Sequence, residues 1–252
     1  MVQPVARYAD LEGKGVFITG GATGIGADLV IAFAEQGARV AFVDIDAVAG
    51  EALAARIPGQ VLFHDCDVTD DDALVGAMNA MEARGGLDIL VNNAANDTRH
   101  DIGEIDADRW RAIVDVNLRH QFVAARAAAG LMKPRGKGVI VNFGSIAPEM
   151  MVENLSVYSM CKAGVRGLTR SLARDLGPFG IRANSILPGC ILTDRQRELW
   201  FRDQAAIDAV VERQCLRREL CGRDVAEMVL FLASDVSAAC TAQDFIVDGG
   251  MV

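Results

Sequence analysis

The residues of this sequence best suited to chemistry are a tyrosine and a lysine four positions apart, Tyr158 and Lys162 in the stretch YSMCK. Residues at this spacing share one face of a helix. A tyrosine with a pKa of about 10 is a poor base at neutral pH, but a nearby ammonium stabilises the phenolate and lowers that pKa. Ser145 lies at the carboxyl end of a predicted strand, where its hydroxyl could hold a reacting oxygen. Alone, the pair is equally compatible with an ordinary exposed helix face.

A glycine-rich turn is the second chemical signal. The first apolar run leads into TGGATGIG, Thr19 to Gly26, and then directly into a helical pattern. Gly20, Gly24 and Gly26 allow a sharp turn and a close backbone approach to a pyrophosphate, and the helix N-terminus supplies N–H donors with partial positive charge. Tight turns without a ligand give the same pattern, but dinucleotide binding requires this position between a first strand and a helix.

Acidic residues follow the next two apolar runs. Asp44 lies near the offset of ~20 residues at which a carboxylate binds the ribose 2′-hydroxyl, and no basic residue follows it closely in DIDAVAGE. Because a carboxylate there repels a 2′-phosphate, the sequence favours NAD over NADP. Asp67 is placed where an adenine amino group could be met. Each aspartate has an alternative role as a helix N-cap, Asp67 for a helix beginning near Asp70.

These residues follow short apolar runs that alternate with longer Ala- and Leu-rich segments of helical period. Strands buried on both faces are uniformly apolar, and strand–helix alternation implies a parallel sheet with right-handed crossovers. No Pro/Gly/Ser-rich linker interrupts the alternation, so we predict an α/β fold, a single doubly wound domain over 1–252, with ligands beyond the carboxyl ends of the strands. The predicted strands are 15–20, 38–45, 61–68, 88–94, 138–145, 182–189 and 245–250, and the predicted helices are 26–36, 71–84, 107–132, 157–176 and 223–233.

The composition excludes several classes of function. The 252 residues carry a net charge of −9, and the pI of about 4.9 leaves no basic surface for nucleic acid or an anionic membrane. The six cysteines are scattered without a C-x-x-C pair and the three histidines lack zinc spacing, so we expect reduced thiols and no metal site. Without a signal pattern or an apolar run of about 18 residues, the sequence predicts a cytoplasmic protein with no membrane partner.

The separate signals occur in a fixed order along the chain. TGxxxGxG at 19–26 is followed by NNA at 92–94, Asn117, Ser145, YxxxK at 158–162, PGxxxT at 188–193 and DGG at 248–250. This pattern resembles the short-chain dehydrogenase/reductase family across essentially the whole chain, and the combination is far more specific than any one motif. The resemblance implies a Rossmann fold with a seven-stranded parallel sheet and helices on both faces.

The resemblance also implies a catalytic tetrad of Asn117, Ser145, Tyr158 and Lys162. Tyr158 would be the acid/base, and Ser145 would orient the substrate oxygen. Lys162 would bind the nicotinamide ribose and lower the pKa of the tyrosine, while Asn117 would hold a water in the proton relay. One departure is Ala95, where the family's NNAG motif has glycine; this adds a methyl group at the turn and removes no functional group.

The cofactor implied by the resemblance is NAD, with Thr193 meeting the nicotinamide carboxamide. Asn93 and Ala94 would lie beside the adenosine ribose and hold the central turn of the sheet. The family further implies a homotetramer, or less often a dimer, built on the helices predicted at 107–132 and 157–176, and a substrate lid at 190–221. The residues expected to contact the cofactor are Gly20, Thr23, Gly24, Ile25, Gly26, Asp44, Ile45, Asp67, Val68, Asn93, Ala94, Tyr158, Lys162, Pro188, Gly189, Ile191 and Thr193.

Local sequence narrows the resemblance to one branch of the family. NNAANDTRH, VNLRHQF, VIVNFGSIAPEM with ENLSVYSMCKAG, and PGCILTDRQRELW are similar to bacterial aldose 1-dehydrogenases, which act on D-xylose, L-arabinose or L-fucose. A pyranose presents several hydroxyl groups, so its site needs hydrogen-bonding side chains. We expect the sugar to contact Asn96, Asn154 and Arg195 together with Ser145 and Tyr158.

Two other interpretations stay open. One is a dehydrogenase of the same family for another polyol, a keto-deoxy sugar acid or a 3-oxoacyl substrate. The other, from a different class, is a nucleotide-binding regulatory protein without catalysis. The complete set of Ser145, Tyr158 and Lys162 argues against this second interpretation, because a protein without activity has no need of all three.

Overall fold

The fold is built on a seven-stranded sheet, in a computed structural model that describes residues 6–57, 59 and 61–252. The strands are β1 (Gly15–Thr19), β2 (Arg39–Asp44), β3 (Val61–Asp65), β4 (Ile89–Asn92), β5 (Gly138–Phe143), β6 (Ile181–Pro188) and β7 (Asp244–Val247). Their order is β3-β2-β1-β4-β5-β6-β7, and every neighbouring pair is parallel. Because β1 pairs with both β2 and β4, the strand order reverses there, which is where a doubly wound sheet opens a crevice.

Helices cover both faces of this sheet. They are α1 (Gly24–Glu35), α2 (Ala47–Arg56), α3 (Asp71–Ala83), α4 (Ala107–Val114), α5 (His120–Met132), α6 (Ala147–Met150), α7 (Ser156–Leu176), α8 (Asp194–Leu199), α9 (Gln204–Arg213) and α10 (Gly222–Ala233). Side chains of α1, α2 and α10 form one apolar cluster with the sheet, and those of α3, α5 and α7 form a second. The predicted doubly wound Rossmann architecture is confirmed.

The two apolar clusters are separated by the alternation of side chains along each strand. In β1, Val16 and Ile18 belong to one cluster and Phe17 to the other; in β2, Phe42 and Val43 divide in the same way. All five are fully buried or nearly so. Side chains of a strand alternate between faces, so a strand covered on both sides is apolar at most of its positions, and each such apolar side chain contributes about 1.5–3 kcal/mol by its burial.

The observed helices differ from the predicted ones in two respects. The segment 107–132 is not one helix: a π-helical turn, Asp115–Arg119, separates α4 from α5 and carries Asn117. The sequence prediction also lacks the shorter helices α2, α6, α8 and α9, and in α2 a glycine, Gly50, interrupts the helical pattern. A Cβ at Gly50 would lie 2.4 Å from the Phe63 ring, so the glycine that weakens the helical pattern is what lets α2 pack against β3.

Candidate active site

A cavity of about 1380 Å³ opens beyond the carboxyl ends of the central strands. It is continuous from the glycine turn after β1 to Tyr158 and Lys162 on α7. Every residue predicted to contact the cofactor lines it, and so do the predicted substrate residues Asn96, Ser145 and Arg195. Asn117 and Asn154 do not line it. The topology thus brings both chemical signals of the sequence into one space.

The glycine turn is packed so closely that side chains are excluded from it. A Cβ on Gly26 would lie 1.8 Å from the carbonyl oxygen of Gly20, and one on Gly20 would lie 2.7 Å from the Cα of Ala94. Asn93 fixes the turn by donating from its Nδ2 to the carbonyls of Thr19 and Gly20, at 3.1 and 2.7 Å. The NNA motif therefore holds the central turn, as its position after β4 predicts.

The same turn leaves a cradle for a phosphate. Helix α1 begins at Gly24, and its N-cap, Thr23, makes no side-chain hydrogen bond to the free N–H groups of the first turn. Gly24 has a φ of +55°, and a Cβ there would stand 3.3 Å from the Thr193 methyl on the facing wall. Free N–H groups at the start of a twelve-residue helix, beside a wall that only glycine leaves open, fit the pyrophosphate of a dinucleotide.

The acidic residues after β2 and β3 face this end of the cavity. Asp44 accepts hydrogen bonds from the backbone N–H groups of Ala22 and Asp46, at 2.9 and 3.1 Å. It is not a helix cap, because Asp46 caps α2. Asp67 likewise leaves the capping of α3 to Asp70 and accepts from the backbone and hydroxyl of the nearby threonine. Both carboxylates stay on the cavity wall.

At the other end, α7 places Tyr158 and Lys162 on one face. The lysine Nζ lies 5.6 Å from the centre of the tyrosine ring and donates to the Phe143 carbonyl at 2.8 Å. Ser145, two residues after β5, lies beside the tyrosine hydroxyl and accepts a hydrogen bond from the N–H of Ala147 at 3.0 Å. The serine hydroxyl, the phenol and the ammonium therefore line the same end of the cavity.

Burial dominates the protonation of this group. It raises the pKa of Tyr158, an effect to which the charge of Asp97 adds and which the Ser145 hydroxyl opposes. Burial also lowers the pKa of Lys162 to about 8, since the ammonium is only 1% exposed. A base at this tyrosine therefore needs positive charge beside it, and the oxidised nicotinamide of a bound cofactor would supply charge in addition to the lysine.

Asn117 acts on the backbone behind the cavity. Its Oδ1 accepts from the N–H of Asn96 at 3.0 Å, and its Nδ2 donates to the carbonyl of the same residue at 3.1 Å and to that of Ile113 at 2.9 Å. The side-chain amide is therefore engaged with main-chain groups. A water of the predicted proton relay would have to bind the backbone carbonyl of Asn117 instead.

The residues predicted to contact a substrate differ in whether they line the cavity and in what their side chains bind. The Oδ1 of Asn96 is turned back onto the N–H and hydroxyl of Thr98, at 2.9 and 2.6 Å. Asn154 was expected in the site, but the structure places it elsewhere: it is exposed, has a φ of +59°, and contributes its carbonyl to the N–H of His100. A loop asparagine in the left-handed region serves the turn, and the contact of Asn154 with the sugar stays a prediction.

Asp97 is one of the polar loop residues that the sequence offers for a sugar, although it is not among the first choices of Asn96, Asn154 and Arg195. Its carboxylate accepts from the Gln196 Nε2 at 2.6 Å and lies 3.5 Å from the Arg195 Nε, both on α8. Next to this contact, the guanidinium of Arg99 lies 4.3 Å from the centre of the Trp200 ring. The loop after β4 is thereby joined to the 190–221 segment across the Tyr158 end of the cavity.

The described residues contain neither a metal-binding cluster nor a membrane-spanning helix. Within 6–57, 59 and 61–252, no three His, Cys, Asp or Glu side chains are grouped so that they could hold a metal ion. No helix in the part of the chain that the structure describes is both long and apolar enough to cross a bilayer. The glycine turn and the Ser145, Tyr158 and Lys162 side chains suit the cavity to proton and hydride transfer with a bound dinucleotide.

Comparisons with known proteins agree with this geometry. Residues 20–252 match the family model described as enoyl-(acyl carrier protein) reductase. A probable galactose dehydrogenase of Rhizobium meliloti is 46% identical over the full length of both chains, and the D-xylose 1-dehydrogenase of Caulobacter vibrioides is 41% identical over 97% of this chain and 98% of the relative. A crystal structure from Agrobacterium tumefaciens, provisionally assigned as a gluconate dehydrogenase, has a TM-score of 0.90 at 30% identity, covering 98% of each chain.

The chain belongs to the short-chain dehydrogenase/reductase family. It carries that family's glycine turn, its NNA motif and its serine, tyrosine and lysine, all assembled around one cavity. It is an oxidoreductase that acts on CH–OH groups and uses a nicotinamide dinucleotide, NAD or NADP.

Proposed function

We propose that this protein oxidises an aldose at C1 with NAD and releases the aldonolactone. The observation that carries the proposal is the polar wall around Tyr158, where Asp97, Arg195 and Gln196 present carboxylate, guanidinium and amide groups. A pyranose with several hydroxyl groups needs such donors and acceptors, whereas a steroid or acyl chain favours apolar lining. The 46% and 41% identical relatives, a probable galactose dehydrogenase and a D-xylose 1-dehydrogenase, support the same substrate class, which covers pentoses and hexoses with or without the 6-hydroxyl.

In this proposal Tyr158 is the base. Its phenolate takes the proton of the C1 hydroxyl, while Ser145 donates a hydrogen bond to the same oxygen and holds it as the carbonyl forms. Lys162 stabilises the phenolate from the cavity wall. Bound NAD supplies the acceptor for the hydride that leaves C1, and its positive charge lowers the pKa of the tyrosine. Loss of one proton and one hydride from the hemiacetal gives the lactone.

Initial rates with L-arabinose, D-xylose, L-fucose and D-galactose, each with NAD and NADP, test the substrate class. Acetoacetyl thioester with the reduced cofactors tests the acyl alternative in the same assay. Sugar turnover that Tyr158→Phe abolishes supports the proposal, and Tyr8→Phe, at the second of the two tyrosines and outside the cavity, is the control that keeps activity. NAD binding without turnover of any of these substrates would favour the regulatory alternative.

The preference for NAD is proposed from Asp44. Its carboxylate lies on the cavity wall after β2, the neighbouring Ile45 is 73% exposed, and the following stretch DIDAVAGE contains no basic residue to hold a 2′-phosphate. Asp44→Ala is expected to lower the ratio of kcat/KM for NAD to that for NADP by at least about tenfold. Asp65→Ala, at the exposed end of β3 and outside the cavity lining, is the matched control.

A cytoplasmic homotetramer with a lid at 190–221 completes the proposal. Trp110 on α4, Phe122 on α5 and Met160 on α7 are large apolar side chains with exposed surface, on the helices expected to form the interface. Helices that bury apolar residues on two sides commonly pack against a second copy. Light scattering of the purified protein decides this point, and a monomer would contradict it.

A further inference from the structure

One backbone carbonyl at the end of β5 joins two side chains. The oxygen of Phe143 accepts a hydrogen bond from the Lys162 Nζ at 2.8 Å and another from the Gln121 Nε2 at 3.2 Å. All three residues are buried, and Gln121 is fully so. The Lys162 ammonium is therefore positioned by the Phe143 carbonyl oxygen, and Gln121 is the second donor to that oxygen.

The orientation of the Gln121 amide is fixed by its neighbours. Its Nε2 also approaches the carbonyl of Asn117 at 3.5 Å. Because both partners are carbonyls, a flipped amide would set its own oxygen against two acceptors. The main-chain carbonyl of Gln121 accepts from the Nδ2 of Asn92, which also donates to Asn142 on the neighbouring strand. Gln121 is therefore held at both its side chain and its backbone.

We propose that Gln121 is a positioning residue for Lys162. It acts through the Phe143 carbonyl and not on the substrate, because it does not line the cavity. It also ties the π-helical turn that carries Asn117 to the strand that leads to Ser145. A misplacement of about 1 Å in a catalytic group can cost roughly 100-fold in rate, so an indirect support of this kind has a measurable effect.

Gln121 gives this support without adding charge. The titratable groups that act on the lysine are Tyr158 and Cys161 on its own helix, Asp97 after β4, and His120 on α5, which burial keeps neutral by lowering its pKa to about 3. A charged residue at position 121 would shift the protonation of this group, and an apolar residue would leave the carbonyl with a single donor.

The first test measures protonation through stability and needs no substrate. Denaturation midpoints of the wild type, Gln121→Met, Lys162→Met and the double variant are compared at pH 7 and pH 10.5. In the wild-type background, Gln121→Met should lower the midpoint more at pH 7 than at pH 10.5, because the charged ammonium needs the Phe143 carbonyl. In the Lys162→Met background, Gln121→Met should lower the midpoint equally at both pH values. The matched control is Gln36→Met, another buried glutamine with two backbone hydrogen bonds, which should lower the midpoint equally at both pH values.

The second test is a kinetic double-variant cycle with D-galactose and NAD. Gln121→Met should lower kcat roughly 10- to 100-fold with little change in KM, and should cost nothing further in the Lys162→Met background. If Gln121→Met does not fold, Gln121→Glu, which keeps the size of the side chain, replaces it. This variant should lower kcat by a similar factor. It should raise the pKa of Lys162, whereas Gln121→Met should lower that pKa.

Two results would overturn the inference. One is a wild-type kcat in both Gln121 variants. The other is a Gln121→Met midpoint change that matches the Gln36→Met control at both pH values. If no sugar is oxidised, the proposed function fails, but the stability cycle still decides the role of Gln121.

Discussion

Lys162, which we propose to be catalytic, is expected to destabilise the folded protein at neutral pH. Its pKa is about 8, below the ordinary value of 10.5, so the folded state binds this proton more weakly than the unfolded state. Below pH 8 the lysine is protonated in both the folded and the unfolded state, and the folded state is destabilised by the full free energy of burying the ammonium. Between pH 8 and 10.5 only the unfolded state keeps it, so the stability contributed by this group rises with pH.

The size of this effect follows from the same two values. The interval between 8 and 10.5 corresponds to about 3 kcal/mol. Lys162→Met removes the buried charge, so at pH 7 the variant should gain up to about 3 kcal/mol, less about 1.5–3 kcal/mol for the lost bond to the Phe143 carbonyl. At pH 10.5 the gain should be gone. The lost hydrogen bond contributes at pH 7 but its size is known only as a range, so the quantity to compare is how the difference in unfolding free energy between Lys162→Met and the wild type changes from pH 7 to pH 10.5.

Urea unfolding of the wild type and Lys162→Met at one fixed protein concentration measures it. The free-energy difference between them should change by about 3 kcal/mol from pH 7 to pH 10.5, in favour of the wild type at high pH. Lys137→Met, at an exposed lysine paired with Asp235, should show no comparable change. Parallel pH dependence in the wild type and Lys162→Met would refute the reasoning.

Two other substitutions are predicted from the same geometry. Gly26→Ala should abolish detectable NADH binding by fluorescence titration, because its Cβ would overlap the Gly20 carbonyl, whereas Gly76→Ala, which meets nothing within 4 Å, should bind normally. Asp97→Asn should move the acidic limb of the pH profile of kcat/KM to lower pH, because it removes a charge that raises the pKa of Tyr158; an unmoved limb would contradict this.

The catalytic pair was predictable because it depends on helix geometry alone. Tyr158 and Lys162 share a face wherever that segment is helical, and α7 is helical from Ser156 to Leu176. The glycine turn was predictable for a similar reason, since its spacing is set by contacts among neighbouring residues. Uniformly apolar strands likewise report burial on both faces without reference to any partner.

The substrate end could not be predicted in the same way. Asn96 and Asp97 are adjacent, and the choice between them depends on a turn in which the Asn96 side chain binds Thr98. The predicted sugar contact of Asn154 stays a prediction, because the residue lies in a left-handed turn outside the cavity lining. Asn117 stays a predicted member of the catalytic set, and its hydrogen-bond partners depend on the π-helical turn that breaks the predicted helix.

The bonds of Asn117 have a consequence for how this site can evolve. At this loop, its amide bonds to the main-chain N–H and C=O of residue 96, which every amino acid except proline presents in the same way. The start of the loop after β4 is thus anchored to the π-helical turn between α4 and α5 whatever side chains the loop carries. The side chains of residues 96–100 can therefore change during evolution without disturbing the main-chain bonds to Asn117. Substrate specificity can change in this way while the catalytic geometry is kept.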